Sequence, residues 1–545
     1  MIPTDRSPSP RLTWKSVLVF GGGVAALAVL LFVSLTQGEV AIPVRTIIDA
    51  LLAPQNTPEH HMVLGLRLPR AVMGMLAGAA LAVSGVLLQT VTRNPLASAG
   101  TFGINAGAYF VVVAATVFLP ARLHAAPLLL ALIGGAGGAA IAYLMAGGRK
   151  GTPVRMALSG MIVSMVLSSF TGALQLLFEN ETNGLFMWGS GNLAQNDWHG
   201  VQYAWPWIAF GIVTVLLFSR TLDMLEMGEE TARALGQRVG AARAAALGLA
   251  ILLASVSVSV VGPIGFVGLI APHLVRLVGL RKHRLLLPAS AVWGAVILVG
   301  ADAVARMFYG KLGELPAGAV TAVIGAPWLI WLALRSSRQS AGTEAQTSMS
   351  VGIARRKLPY PVLLLALGVL LIASFFISLA FGGLRIPLHE LWAVLNGGGE
   401  DVFRNVVLNL RLPRILVATL AGAALAVAGV MLQGAVRNPL ADASVVGVTS
   451  GAGVGALLLI VIWPLAPAWL TPLFAFAGGL AAAAFVYSLA WRKGLQPTTL
   501  ILIGIAVTAI GSAAIQFLVI EAKMGAAPAL AWLAGSNYGR GWSEL

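Results

Sequence analysis

Two pairs of arginines occur at the same spacing in two nearly identical segments of the chain. Arg67 and Arg70 lie in one LRLPR sequence, and Arg411 and Arg414 lie in a second. A guanidinium group offers planar, paired donors that match a carboxylate, so each pair could hold an acidic surface of another protein. A single arginine could instead reach lipid headgroups or stabilise a helix end. Because the whole pair is repeated, the docking interpretation is favoured. Arg306 in ADAVAR is a further candidate for docking.

A second candidate is the mixed-charge segment 223–243, which reads DMLEMGEETARALGQRVGAAR. Its apolar residues recur at near-helical spacing and its glycines interrupt them, which predicts short surface helices joined by glycine turns. Such a segment could insert into a soluble motor protein. A solvated connector is the alternative interpretation, because runs of charge commonly lie on exposed faces.

A third group consists of glycine, proline and asparagine residues that interrupt apolar stretches. The sequence NPLA occurs in both repeats, and GPIGFVGLIAPHLVR adds two prolines and three glycines in the first. Small residues commonly serve close helix packing, whereas broken helices can line a transport pathway. The candidates for helix breaks along a pathway are Asn94, Pro95, Gly103, Gly107, Gly262, Pro263, Gly265, Asn438, Pro439, Gly447 and Gly451.

Several chemistries are excluded by what the sequence lacks. It has no G-x-x-x-x-G-K-[ST] phosphate loop, so we do not expect the chain to hydrolyse ATP or to be an enzyme. It has no cysteine, which excludes disulfides and thiolate chemistry. The adjacent His60 and His61 are a weak indication of a metal site, and the isolated His273 is more typical of a structural residue. We predict no metal and no cofactor.

The composition indicates which elements must position these residues. Apolar residues are 58% of the chain, charged residues are 10%, and the mean hydropathy is +0.88, whereas soluble domains are about 25% charged. Apolar runs longer than about 18 residues can cross a bilayer, and lipid requires them to be helical. The net charge of +15 comes from Lys and Arg in short loops, so we predict no nucleic-acid partner. The predicted fold class is an all-α polytopic membrane protein.

An internal repeat organises these helices. Residues 66–107 recur as 410–451, an offset of 344 residues at which 25 of 42 paired positions are identical. Two fused membrane units commonly build a pathway at their interface. We predict two parallel units, at 1–334 and 358–545, joined by a cytoplasmic linker at 335–357. The apolar stretches predict ten spans in the first unit (14–37, 69–90, 95–118, 124–146, 153–178, 203–219, 241–261, 265–279, 287–308 and 316–334) and about five in the second (358–381, 412–433, 439–462, 467–490 and 498–521).

The distribution of Lys and Arg predicts the orientation, because cytoplasmic loops carry an excess of these residues. A cytoplasmic N-terminus places the basic clusters near 149–155, 220–243 and 281–284 on the cytoplasmic side together with the linker. The paired arginines and Arg306 then lie at the outer mouth, where basic residues are disfavoured. Carboxylates are scarce within the spans, which argues against a proton relay.

Six motifs together resemble the iron-siderophore and cobalamin class of ABC importer permeases. They are LRLPR, LAGAALAVSGVLLQ, RNPLA, ARALG, GPIGFVGLIAPHLVR and ELPAGAVTAVIGAPWLIWL, and the resemblance covers nearly the whole chain. The fused double unit is similar to family members that take ferric hydroxamate siderophores. The resemblance implies a permease in the bacterial inner membrane that receives a ferric siderophore from a periplasmic binding protein. It also implies two copies of a cytosolic ATPase as partners.

The resemblance also implies roles for individual residues. The five arginines match positions at which the family docks the binding protein. The segment 229–240 matches the coupling helices that contact the ATPase. The residues carried over to this coupling role are Glu229, Glu230, Ala232, Arg233, Leu235 and Gly236.

The second unit departs from the family pattern. Trp188 and Trp198 pair with Trp532 and Trp542, so the repeat is still in register close to the last residue. We therefore expect the last five spans of the second unit, and a second coupling loop, to be absent. A cobalamin or haem importer, an ion-coupled secondary transporter and a truncated permease that transports nothing are the alternative interpretations.

Overall fold

The computed structural model describes residues 14–38, 40–119, 127–148, 153–182, 184–308, 315–336, 359–436, 441–444, 446–467, 469–491, 496–521, 532–533, 535–537 and 539–545. Every regular element in these ranges is a helix. The α-helices are α1 (Trp14–Thr36), α2 (Val44–Leu52), α3 (Pro58–His61), α4 (Leu68–Thr92), α5 (Ile104–Phe118), α6 (Pro127–Met145), α7 (Pro153–Leu177), α8 (Leu185–Gly189), α9 (His199–Leu217), α10 (Ser219–Glu226), α11 (Glu229–Ala234), α12 (Val239–Val261), α13 (Val267–Leu277), α14 (His283–Met307), α15 (Ala317–Ser336), α16 (Tyr360–Ala380), α17 (Leu388–Leu395), α18 (Asp401–Asn405), α19 (Leu412–Val436), α20 (Val448–Ile462), α21 (Leu470–Trp491) and α22 (Pro497–Glu521). Two π-helical turns, Met62–Arg67 and Val406–Arg411, lead directly into α4 and α19.

Twelve of the described helical segments are long and apolar enough to cross a membrane. Three further apolar helices, α5, α13 and α20, are shorter than 18 residues. The all-helical membrane fold predicted from the composition is confirmed.

The first residues of α5 differ from the prediction, which placed a span at 95–118. α4 ends at Thr92, and the next residue, Arg93, has a φ of 50°, in the left-handed region. Asn94 Oδ1 then accepts the Leu96 N–H at 2.9 Å, forming a local turn. Gly103 immediately precedes α5 and has a φ of 77°. Glycine adopts this left-handed conformation without steric cost. The loop therefore continues to residue 103, and the helix is correspondingly short.

The structure repeats its elements at the offset of 344 residues. α19 reproduces α4, α20 reproduces α5 and α22 reproduces α7, each over the same number of residues. Side-chain contacts recur as well: Trp198 Nε1 donates to Leu64 O at 2.9 Å, and Trp542 Nε1 donates to Leu408 O at 3.0 Å. The sequence repeat is therefore also a repeat of backbone geometry.

α4 lies at the centre of the first copy, where α12, α13 and α14 pack around it. The closest approaches are made through glycine. A Cβ on Gly78 would overlap the carbonyl of Gly294 in α14, and a Cβ on Gly85 would overlap the carbonyl of Gly268 in α13. Such close backbone contact supports helix association in lipid, where burial of apolar side chains adds little.

α19 carries nearly the same small residues as α4 but has a different environment. Within the described ranges, nothing lies within 4 Å of a Cβ placed on Gly422 or Gly429, which are the counterparts of Gly78 and Gly85. In the described part of the chain, α19 consequently exposes the face that α4 buries.

The two copies touch where α15 packs against α22. Ala326 and Leu329 of α15 are buried together with Ala506 of α22. The last long helix of the first copy thus joins the last long helix described in the second.

Candidate functional site

α4 and α14 pack antiparallel, so the start of one helix meets the end of the other. Arg70, near the start of α4, forms an ion pair with Asp302, near the end of α14: Nη2 lies 2.8 Å from Oδ1, and Nε lies 3.1 Å from both carboxylate oxygens. Arg306 adds a second ion pair to Asp302 at 3.0 Å. Asp302 is only 2% exposed, so one buried carboxylate compensates two guanidinium groups. We call this region the arginine end.

Arg67 and Arg306 also hold the end of α1. Arg67 Nη1 donates to Leu35 O at 2.7 Å and Nη2 donates to Val40 O. Arg306 Nη1 donates to Ser34 O at 2.7 Å. The last carbonyls of a helix receive no hydrogen bond from the helix itself. A side-chain donor that reaches them therefore stabilises the C-terminus of the helix. Both arginines are 6% exposed.

These contacts bear on the docking prediction for Arg67, Arg70 and Arg306. All three arginines donate guanidinium N–H groups to atoms of their own chain. Arg67 and Arg306 stabilise a helix end, which is the alternative interpretation raised by the sequence. Docking at these positions stays a prediction. Asp302 was not among the predicted site residues, although its spacing of four residues from Arg306 is a readable signal of an ion pair.

The second copy repeats the first of these contacts. Arg411 Nη1 donates to Leu379 O at 2.5 Å, and Nη2 donates to Leu384 O. Arg414, the counterpart of Arg70, has an exposed side chain. The second arginine of the repeated pair is therefore partly buried and ion-paired in the first copy and exposed in the described part of the second.

A cavity of about 640 Å³ lies beside the arginines of the second copy. Arg411, Arg414 and Ser378 are among its lining residues. Ser378 is the counterpart of Ser34, which accepts from Arg306 in the first copy. The cavity thus borders the second-copy counterpart of a residue that Arg306 contacts in the first copy.

The predicted coupling segment folds as α10 and α11, two short helices at the opposite end of the bundle. Gly228, with φ of 124°, separates them, and Gly236, with φ of 81°, follows α11. Ala232 is fully buried, whereas Leu235 is 61% exposed. The short helices and glycine turns read from the sequence are present. Glu230, Arg233 and Gly236 also lie on the exposed part of this segment, and Glu229 begins α11.

α10 is fastened to the ends of α4 and α14 by polar contacts. Asp223 Oδ1 lies 2.7 Å from His283 Nδ1, and His283 Nε2 lies 2.8 Å from Thr90 Oγ1. Arg93 Nη2 donates to Leu225 O at 3.2 Å. We call this region the loop end. Sequence reasoning did not find His283, because its partners lie 60 and 193 residues away.

Asp223, Glu226 and His283 bring three possible ligand atoms within 4.8 Å of one another. Both ring nitrogens of His283 are already at hydrogen-bonding distance from Asp223 and Thr90. This cluster is therefore a hydrogen-bond network in the described structure, and the absence of a metal stays a prediction.

The predicted helix breaks have recurring geometry. Gly103 and Gly447 precede α5 and α20 with φ of 77° and 89°. A Cβ on Gly107 would overlap the carbonyl of Gly134 in α6, and a Cβ on Gly451 would lie 2.6 Å from Gly478 O in α21. These glycines therefore serve close helix packing in both copies. Asn438 and Pro439 lie outside the described residues.

The break at Gly262 joins α12 to α13. Gly262 has φ of 72°, and a Cβ there would overlap the Trp188 carbonyl, so only glycine fits. Pro263 and Gly265 continue the non-helical stretch, whose Ile264 O accepts from Asn105 Nδ2 of α5 at 3.2 Å. Non-helical backbone at membrane depth is tolerated where protein or a cavity surrounds it. A pathway role for these residues, and for Asn94 and Pro95, stays a prediction.

Comparisons with known proteins match both copies. A model of the FecCD transport family matches residues 26–335 and 370–545. The chain is 34% identical over 477 residues to the iron(3+)-hydroxamate import system permease protein FhuB of Salmonella typhimurium, covering 87% of this chain and 67% of that protein. It is 32% identical over 532 residues to the protein of the same name from Escherichia coli, covering 96% of this chain and 78% of that protein.

Other similar proteins match a little over half of the chain. The Fe(3+)-citrate import system permease protein YfmD of Bacillus subtilis is 40% identical over 313 residues, which are 57% of this chain and 93% of that protein. A solved structure, described as an inward-facing conformation of a metal-chelate type ABC transporter, is 27% identical with a TM-score of 0.50. It covers 59% of this chain and 99% of the other. The chain, a helical membrane protein whose relatives are transport permeases, belongs to the FecCD transport family.

Proposed function

We propose that the chain is the permease subunit of an ABC importer that moves ferric hydroxamate siderophores across the bacterial inner membrane. The observation that carries this proposal is the match of 96% of the chain to a relative named as an iron(3+)-hydroxamate import permease. A separate cytosolic ATPase, in two copies, supplies the energy, and a periplasmic binding protein delivers the substrate. The N-terminus faces the cytoplasm.

In this orientation the loop end faces the ATPase and the arginine end faces the periplasm. The loop end suits a motor partner because it presents the exposed Leu235 directly after a short helix, α11, whose Ala232 is buried in the bundle. Motion of the partner would therefore be transmitted to a packed element. The proposed ATPase contact comprises Glu229, Glu230, Arg233, Leu235 and Gly236, and the buried Ala232 anchors this segment in the bundle.

Docking of the binding protein rests on the repeated arginines, of which Arg414 is the accessible one. An exposed guanidinium beside a cavity can donate hydrogen bonds to the carboxylate of a partner without breaking an existing ion pair. We expect Arg414→Glu to weaken association with the binding protein in a pull-down from detergent. Arg404→Glu, which reverses another exposed arginine of the second copy, is the matched control. Equal loss in both variants would contradict a specific role for Arg414.

The transport proposal is tested by reconstitution of the chain with its ATPase and binding protein in proteoliposomes. We expect uptake of a ferric hydroxamate that requires ATP and the binding protein. Uptake of cobalamin or haem in its place would indicate a different substrate. Uptake driven by an ion gradient without nucleotide would indicate a secondary transporter. Association of all three components without uptake of any of these substrates would indicate a permease that does not transport.

The coupling role of the loop end gives a separate prediction. Leu235→Ser removes an exposed apolar side chain, so we expect weaker ATPase binding with unchanged thermal stability of the permease. The measurement is the amount of ATPase that co-purifies. Leu465→Ser is the control, because Leu465 is also highly exposed but lies after α20, at the opposite end of the bundle. Unchanged co-purification of the Leu235 variant would contradict the assignment.

A further inference from the structure

Three helices meet at His283, whose side chain is fully buried. Its Nδ1 contacts Asp223 of α10, its Nε2 contacts Thr90 in the last turn of α4, and its own backbone begins α14. The ring thus lies between the segment predicted to contact the ATPase and the central pair of membrane helices.

The donors and acceptors define how these contacts work. A carboxylate only accepts, so His283 Nδ1 carries the hydrogen that it shares with Asp223. Asp223 Oδ1 also accepts the backbone N–H of His283 at 2.9 Å. A carboxylate at this position satisfies an amide in the first turn of α14 and interacts favourably with the positive end of the helix. Asp223 therefore caps α14 from a different helix.

A displacement of α10 would be passed on to a rigid unit. α14 reaches Asp302 at the arginine end, and α4 reaches Arg70, so the two helices are joined at both ends. Between the ends, Gly78 and Gly294 place the two backbones in direct contact. An α-helix cannot shorten without losing hydrogen bonds, so motion at His283 displaces the pair as a whole.

We propose that His283 is a positioning residue that transmits movement of α10 to the α4–α14 pair through Thr90 and Asp223. This proposal rests on the transport function proposed above. It makes the two copies unequal, because the counterpart of Thr90 is Gly434, which has no side chain to contact a histidine. Coupling through this contact is therefore a property of the first copy.

Thr90 can be altered with closely matched controls. Thr90→Val removes the hydroxyl and keeps the branched shape, whereas Thr90→Ser keeps the hydroxyl. Thr92 is also buried, and its hydroxyl donates to Leu88 O at 2.7 Å; Thr90 Oγ1 lies at a similar distance, 2.8 Å, from Val86 O. Thr92→Val thus removes an equivalent hydrogen bond within the same helix without touching the histidine.

The experiment measures siderophore imported per ATP hydrolysed in the reconstituted complex. We expect Thr90→Val to lower this ratio about fivefold, the factor that corresponds to loss of one buried hydrogen bond. Thr90→Ser and Thr92→Val should keep the wild-type ratio. An unchanged ratio in Thr90→Val, or an equal fall in Thr92→Val, would overturn the proposal.

A second measurement separates this proposal from the transport function. Hydrogen exchange in the first turn of α14 should change when the permease–ATPase complex binds nucleotide. We expect that change to disappear in Thr90→Val and to persist in Thr92→Val. A response that persists in both variants contradicts the role of His283 whether or not the complex transports a siderophore. Absence of transport by the wild-type complex contradicts only the proposed function.

Discussion

Replacement of Asp302 by alanine should destabilise the first copy by about 3–5 kcal/mol, because it removes the counter-charge of the buried Arg306 and the partly buried Arg70. Arg70 and Arg306 both form ion pairs with this carboxylate at 3.0 Å or less. The low exposure of both side chains, 12% for Arg70 and 5% for Arg306, limits the water that could replace this carboxylate. The measurement is thermal unfolding of the purified permease in detergent, and we expect either a lowered transition temperature or failure to recover folded protein.

Two further variants identify the cause of that loss. Asp302→Asn retains the shape of the side chain without its charge, so it should lose most of the same stability. Arg414→Ala removes the repeat counterpart of Arg70 at an exposed position and should change stability by no more than about 0.5 kcal/mol. If Asp302→Ala unfolds at the same temperature as the wild-type protein, the ion pairs do not stabilise the arginine end.

The second prediction concerns alanine substitution of two glycines in nearly identical sequences, which should change the stability of the protein in opposite directions. Gly85→Ala should destabilise the protein by about 1–3 kcal/mol, because its Cβ would overlap the Gly268 carbonyl and force α4 and α13 apart. Gly429→Ala should be neutral or stabilising by up to about 1 kcal/mol, because alanine favours the helix and nothing described lies near its Cβ. Thermal unfolding of the two variants under identical conditions measures the difference.

The flanking residues of these glycines, AVSGVLLQ and AVAGVMLQ, differ at only two positions, so local helix preference cannot explain opposite effects. Equal destabilisation of both variants would show that the two helices have equivalent surroundings. Such a result would contradict the exposure of α19 and favour its coverage by another helix.

The sequence predicted the helices and the repeat because both depend on patterns within short windows. Long apolar runs define the spans, and the offset of 344 residues pairs α4 with α19 without knowledge of any contact. The late start of α5 was missed because it depends on backbone conformation at Arg93 and Gly103. Proline and glycine indicate that a chain bends, but they do not give the length of the resulting loop.

The candidate site was less predictable for a different physical reason. Arginine pairs in LRLPR are visible, but whether a guanidinium faces a partner or its own chain depends on residues far along the sequence. Arg70 is paired across 232 residues, and His283 with Thr90 across 193. The same motif consequently has a partly buried, ion-paired second arginine in one copy and an exposed one in the other.

The two ends of α14 have a thermodynamic consequence. A helix of 25 residues is about 37 Å long, so α14 extends from the loop end to the arginine end as one body. If nucleotide at the loop end changes the affinity for a binding protein at the arginine end, the binding protein must change the affinity for nucleotide by the same factor. Equilibrium titrations of each ligand in the presence and absence of the other would therefore yield a single coupling constant.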